Sequence, residues 1–205
     1  MKRIQLISAL AVVCVACGGD DAPDAGATSQ PAAAAAAASQ PAAAAAGALP
    51  APPTGPMVIP DWYSVDNDAR TVYMTVTAGA TPDNNYWNMN GNVNGAIAIT
   101  VPEGYTITID LVNQDPNMAH SLGIQTDFTN PMLPPTPNPV FEGAITPNPQ
   151  SMIDGTMPGQ TATIQFVADK AGDYTMICYT PGHTALGMWL YFNVSADGEA
   201  GVQGL

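Results

Sequence analysis

The chain has 205 residues, with 4 Lys+Arg against 17 Asp+Glu and a formal net charge of −13 when the histidines are neutral. A balance this acidic argues against nucleic acid and anionic lipid headgroups as partners. With 2 histidines in all, any site that needs more than two imidazoles is excluded from the outset.

Taken in order, residues 1–16 read as a signal segment, with Lys2 and Arg3 as the charged start and an apolar run from Ile4 to Val15. The run is too short to stay as a membrane-spanning helix. It leads into Val15-Ala16-Cys17-Gly18, which resembles a bacterial lipobox, although Cys14 stands where leucine is usual. The expectation is a lipoprotein-type signal with the lipid on Cys17, exported to the cell envelope and held on the periplasmic or extracellular side of a membrane. Residues 17–56 carry alanine blocks separated by Ser-Gln-Pro at 29–31 and 39–41. They lack the large apolar side chains of a core and read as a spacer. Loss of Lys2 and Arg3 with the signal takes the charge from −13 to −15 and leaves Arg70 and Lys170 as the fixed cations.

From Met57 the composition changes to aromatic and β-branched residues with period-two alternation, the signal of strands. The alternation predicts strands over residues 71–77, 96–101, 105–111, 161–167, 174–178 and 188–194. In the third, Tyr105, Ile107, Ile109 and Leu111 share one face; in the last, Met188, Leu190, Phe192 and Val194 do. Many short strands divided by turn residues predict an antiparallel sandwich or barrel filling one domain over 57–198, with 199–205 as a C-terminal tail. The segment from Phe128 to Pro158 breaks the rhythm with eight prolines and is expected to pack partly over the sandwich as a long loop.

The chemistry concentrates in Cys178-Tyr-Thr-Pro-Gly-His183-Thr-Ala-Leu-Gly-Met188. Thiolate and thioether are soft ligands, imidazole suits copper, and a His2Cys set with a weak axial Met is the blue-copper electron-transfer site. A tight turn at Pro181-Gly182 between two strands would gather Cys178, His183 and Met188 around one point. His120 is the other histidine of the chain and completes the set. With Cys14 and Cys17 assigned to the signal and the lipid, Cys178 has no intramolecular disulfide partner, which points to intermolecular pairing or a functional thiol.

At these residues the sequence resembles the cupredoxins. The order His…Cys-x4-His-x4-Met, with its Cys-x-x-Pro-Gly-His loop, is most similar to sulfocyanin and next to rusticyanin. The resemblance also rests on Asn88-Met-Asn-Gly-Asn-Val-Asn-Gly-Ala-Ile-Ala-Ile-Thr-Val-Pro, on Met118-Ala-His-Ser-Leu-Gly-Ile, and on Ala171-Gly-Asp-Tyr-Thr-Met-Ile-Cys, and covers roughly residues 70–195. It implies a Greek-key β-sandwich and one type 1 copper per chain, held by His120, Cys178, His183 and Met188. It further implies electron exchange with redox proteins such as a cytochrome or a terminal oxidase. A monomer and no enzymatic activity are expected. A trinuclear or type 2 centre would need more histidines, and a binuclear copper-A centre a second loop cysteine. A nitrosocyanin-like site would need a carboxylate in the loop. The alternative is a periplasmic copper carrier or chaperone; a cupredoxin-like module that has lost its metal is disfavoured because all four ligand types are present. No charged residue lies between Met118 and Ile124 or between Tyr174 and Val194. A dry, neutral shell of that kind predicts a high potential. His183 is expected at the exposed edge, with Pro181, Leu186 and Met152 or Met157 as candidates for a docking patch.

Overall fold

A computed structural model describes residues 49–205, apart from Asp127 and Leu133. The signal segment, the lipid on Cys17 and the linker up to residue 48 lie outside the described residues. Among the described residues nine strands follow in order: β1 (Tyr63–Asp66), β2 (Thr71–Ala78), β3 (Ala98–Pro102), β4 (Thr106–Asn113), β5 (Gly123–Gln125), β6 (Thr161–Val167), β7 (Gly172–Ile177), β8 (Trp189–Ser195) and β9 (Gly201–Gln203). They form two sheets, ordered β1-β2-β4-β6 and β5-β7-β8-β3-β9, packed as a Greek-key β-sandwich. Two single-turn 3-10 segments, Asp83–Tyr86 and Thr184–Leu186, complete the regular structure. Among the described residues, no helix is long and apolar enough to cross a membrane.

The alternation in the sequence decides which face is buried. Val72, Met74 and Val76 of β2 and Ile107, Ile109 and Leu111 of β4 point into the space between the sheets. There they meet Met176, Leu190 and Phe192 of the second sheet. Each such fully buried side chain contributes about 1.5–3 kcal/mol relative to exposure. The second sheet is covered on both faces: Trp189 and Tyr191 of β8 point away from the main core into a smaller cluster with Ile177, Tyr179 and Phe128.

Two expectations are corrected. The sandwich is not purely antiparallel, because β2 pairs with β4, and β3 with β8, in parallel. The chain crosses to the opposite sheet between β2 and β4, and side-chain alternation carries no information about the direction of a partner strand. The tail expected at 199–205 supplies β9, whose Val202 is buried opposite Ile99 of β3. A further strand, β1, pairs along β2 and was not predicted.

The described residues of the Pro-rich stretch form no regular strand, yet they follow the free edge of β5. The Val140 amide donates to the Ile124 carbonyl at 2.9 Å, the Ile124 amide to Ala144 at 3.0 Å, and the Thr146 amide to Leu122 at 2.9 Å. An edge strand with open hydrogen-bonding groups is a template for aggregation, and this irregular cover blunts it. Phe141 dips into the core, stacking on Phe166 of one sheet (5.4 Å, 7°) and meeting Tyr174 of the other edge-on (5.2 Å, 75°).

Candidate metal centre

The ligand loop is built by the β7–β8 register. Ile177 pairs with Trp189, so the next rung sets Cys178 opposite Met188, and the Cys178 amide donates to the Met188 carbonyl at 3.2 Å. Both side chains therefore leave the same face, inward. Between them the loop closes on itself: the His183 amide reaches Thr180 at 3.1 Å, and the Met188 amide returns to His183 at 2.9 Å. Gly187 ends the short 3-10 turn at φ 96°, a left-handed conformation that suits glycine. A Cβ there would lie 2.6 Å from the Asn94 side chain.

The segment between β2 and β3 clamps this loop from outside. Asn84 donates its side-chain amide to the Leu186 carbonyl at 2.7 Å, and the Asn94 amide donates to Gly187 at 2.7 Å. His120 arrives from the β4–β5 connection, its backbone paired with Thr156 by bonds of 3.0 and 3.1 Å. Thus the Pro-rich stretch also steadies a ligand.

The structure brings the four predicted side chains to one point. His120 Nδ1 lies 3.1 Å from Met188 Sδ, 3.2 Å from His183 Nδ1 and 3.9 Å from Cys178 Sγ, and Cys178 Sγ lies 3.6 Å from His183 Nδ1. All four residues are fully buried. Burial alone would raise the Cys178 pKa, but hydrogen bonds and charge from His120 and His183 hold it well below its ordinary value. Burial would likewise lower the His120 pKa, but Cys178 and then Asp115 outweigh it and hold it above the ordinary value. The cluster therefore favours the thiolate, which is the form that binds a metal.

Several contributors were not singled out from sequence. The Ser121 amide donates to Cys178 Sγ at 3.4 Å, and the Ser121 hydroxyl lies 3.7 Å from the sulfur while accepting the Tyr179 amide at 2.8 Å. Asp115, also buried, places Oδ2 2.9 Å from His120 Nε2. The shell is thus not neutral, as the stretches around the ligands suggested; the carboxylate enters from five positions before His120, outside those stretches. His183 is not an exposed edge either. Trp87 stacks on its ring at 4.1 Å and 17°, and its Nε2 is buried with no hydrogen-bond partner among the described residues. Pro181 is exposed beside it and Leu186 half-buried.

A family model described as the sulfocyanin (SoxE) domain matches residues 61–200. The chain belongs to the sulfocyanin family. It is 30% identical over 132 residues to a sulfocyanin of Sulfolobus acidocaldarius, covering 62% of this chain and 64% of that relative's length. Among solved structures it is similar to a rusticyanin variant, with 20% identity, TM-score 0.46, and coverage of 66% of this chain and 88% of that one. An auracyanin from Roseiflexus castenholzii is 22% identical, with TM-score 0.43 and coverage of 64% and 99%. Within this sulfocyanin-family chain, two imidazoles, one thiolate and one thioether form a closed, soft donor set arranged as a blue-copper site. No acidic side chain is among the four donors.

Proposed function

We propose that this sulfocyanin-family protein is a mononuclear blue copper electron carrier of the cell envelope, passing one electron at a time between respiratory-chain partners such as a cytochrome and a terminal oxidase. The observation that carries this reading is the convergence of His120, Cys178, His183 and Met188 in a fully buried cluster held from three sides by backbone hydrogen bonds. Bound copper would supply a one-electron couple. The protein's own part is to keep the donors in one arrangement in both oxidation states. The Cys178–Met188 rung fixes two of them, the Thr156 pairing fixes His120, and the Trp87 face fixes His183. Exclusion of water keeps other ligands away and lowers the rearrangement that accompanies each transfer.

The same burial weighs against the copper-carrier alternative, since a site meant to hand metal on needs an approach for the acceptor's ligands. The envelope location and the lipid on Cys17 follow from the signal-like start and the lipobox resemblance, and the Ala/Pro-rich linker then acts as the tether. Loading the full chain with Cu(II) tests the reading. An intense thiolate-to-copper band in the visible, absent in Cys178→Ser, is expected; colourless, weakly held copper would instead favour the carrier.

A further inference from the structure

We infer that Asp115 is a positioning residue that fixes the orientation of His120 and biases the bound couple toward its oxidised state. The inference rests on the blue-copper reading above.

The carboxylate is 1% exposed and held at both oxygens. Oδ1 accepts the amides of Asn117 at 2.8 Å and Met118 at 3.2 Å, while Oδ2 sits 2.9 Å from His120 Nε2. The Asp115 amide donates to the Asn113 side chain at 2.9 Å. Asn113, the last residue of β4, in turn donates its side-chain amide to the carbonyls of Met118 and Thr156, both at 2.8 Å. The carboxylate is therefore tied to the sheet rather than floating on a loop. Gly79 makes room for it: at φ +71°, a Cβ on Gly79 would lie 2.6 Å from the Asp115 amide nitrogen.

Two consequences follow from the geometry. A carboxylate can only accept, so in the neutral imidazole that a metal requires Nε2 carries the proton and Nδ1 keeps its lone pair toward Cys178, His183 and Met188. In addition, a buried negative charge bears on one ligand of the site. Among the described residues its one salt-bridge partner is His120 itself; neither Lys170 nor Arg70 pairs with it. In a water-poor interior such a charge acts with a lower effective dielectric than at the surface. It stabilises the more positive, oxidised metal. It thus opposes the hydrogen bond from the Ser121 amide to Cys178 Sγ, which favours the reduced state.

The test uses the full chain loaded with copper. Asp115→Asn keeps the size and an acceptor for Nε2 but removes the charge. It is expected to keep the visible band and to move the midpoint potential upward, with at least a tenfold gain in preference for Cu(I), about 59 mV for one electron. Asp115→Leu removes the acceptor as well and is expected to alter the band and its copper EPR splitting. A potential for Asp115→Asn within threefold of wild type, or one that moves down, overturns the inference while leaving the copper site intact. Absence of any visible band in the wild type overturns the underlying reading and this inference with it. Should the variants fail to fold, nitrogen NMR of the wild-type Cu(I) protein decides. A slowly exchanging proton on His120 Nε2 is expected, and a freely exchanging one refutes the positioning role.

Discussion

Replacing Phe141 with alanine tests whether the Pro-rich stretch belongs to the core or merely lies on it. Phe141 is 3% exposed, and its ring touches Phe166 of the first sheet and Tyr174 of the second. Truncation removes the buried ring and leaves a cavity between sheets already committed to their registers, so the site can collapse little. Phe-to-Ala changes in such settings cost about 3–5 kcal/mol. For a domain of this size each kcal/mol lowers the melting temperature by about 2–4 °C, so a fall of roughly 6–20 °C is expected. Phe141→Leu refills most of the volume without the aromatic pairs, which are worth about 0.5–1.5 kcal/mol each beyond area. It should therefore lie between wild type and Phe141→Ala. Calorimetry of the copper-loaded full chain, with the visible band followed in parallel, separates stability from site geometry. The band should stay in place while the transition moves. A melting temperature within about 2 °C of wild type for the alanine variant would show that the ring carries no such load.

The site itself makes further predictions. Trp87→Ala removes the indole face from His183, a loss of about 0.5–1.5 kcal/mol of ring-pair energy, and should weaken copper binding roughly two- to tenfold in a chelator competition. Trp87→Phe should retain most of the affinity, and equal affinities for all three proteins would refute the role of the stack. Gly187→Ala forces a left-handed alanine, at about 1–2 kcal/mol, and pushes its Cβ against Asn94. A denaturant midpoint well below wild type, with a displaced visible band, is expected; an unchanged band would show that the Asn94 clamp is not needed. In the metal-free protein, the depressed Cys178 thiol contributes stability that is fully present above its ordinary pKa of 9.0 and is lost as the pH falls through the folded-state value. The raised His120 imidazole acts in the opposite sense, stabilising below 6.5 and losing its effect as the pH rises through its folded value. The acid-side loss is thus the thiol's, and Cys178→Ser should lose less stability on acidification than wild type. Parallel denaturation profiles would count against the thiolate cluster.

The strands and the ligand positions were legible because each has a strong local signature. Tyr105 to Leu111 alternates without a fault, and β6 runs from Thr161 to Val167, the predicted span. The Cys178–Met188 spacing encodes a closed loop because a strand leads in and another leads out. What escaped notice depends on contacts far apart in sequence. The strand β9 is three residues long, too short to show a period, and is defined by its pairing with β3. Asp115 lies in a polar turn whose Asn113-x-Asp115 pattern signals only a local turn; its meaning comes from the fold of that turn back onto His120. Trp87 sits after Asn84, Asn85 and Tyr86, all with positive φ, a conformation that propensity does not anticipate for three successive residues. The burial of His183 followed from that hidden tryptophan, which is why a loop histidine read as exposed.

The rung between Cys178 and Met188 makes the nine residues it encloses an exchangeable cassette. Strands β7 and β8 complete their register before the loop begins, so swapping its contents leaves the sheet unchanged. The cassette is nonetheless asymmetric. Its second half is docked through the carbonyls of Leu186 and Gly187, whereas Pro181 and Gly182 in its first half face solvent. Substitutions at the exposed Pro181 can therefore reshape the surface that a partner meets, while the buried Tyr179 and Thr180 keep the His183 amide in place. Changes between Thr184 and Gly187 must carry the docked carbonyls with them or misplace Met188. Surface identity and metal geometry can thus diversify independently within a single short hairpin.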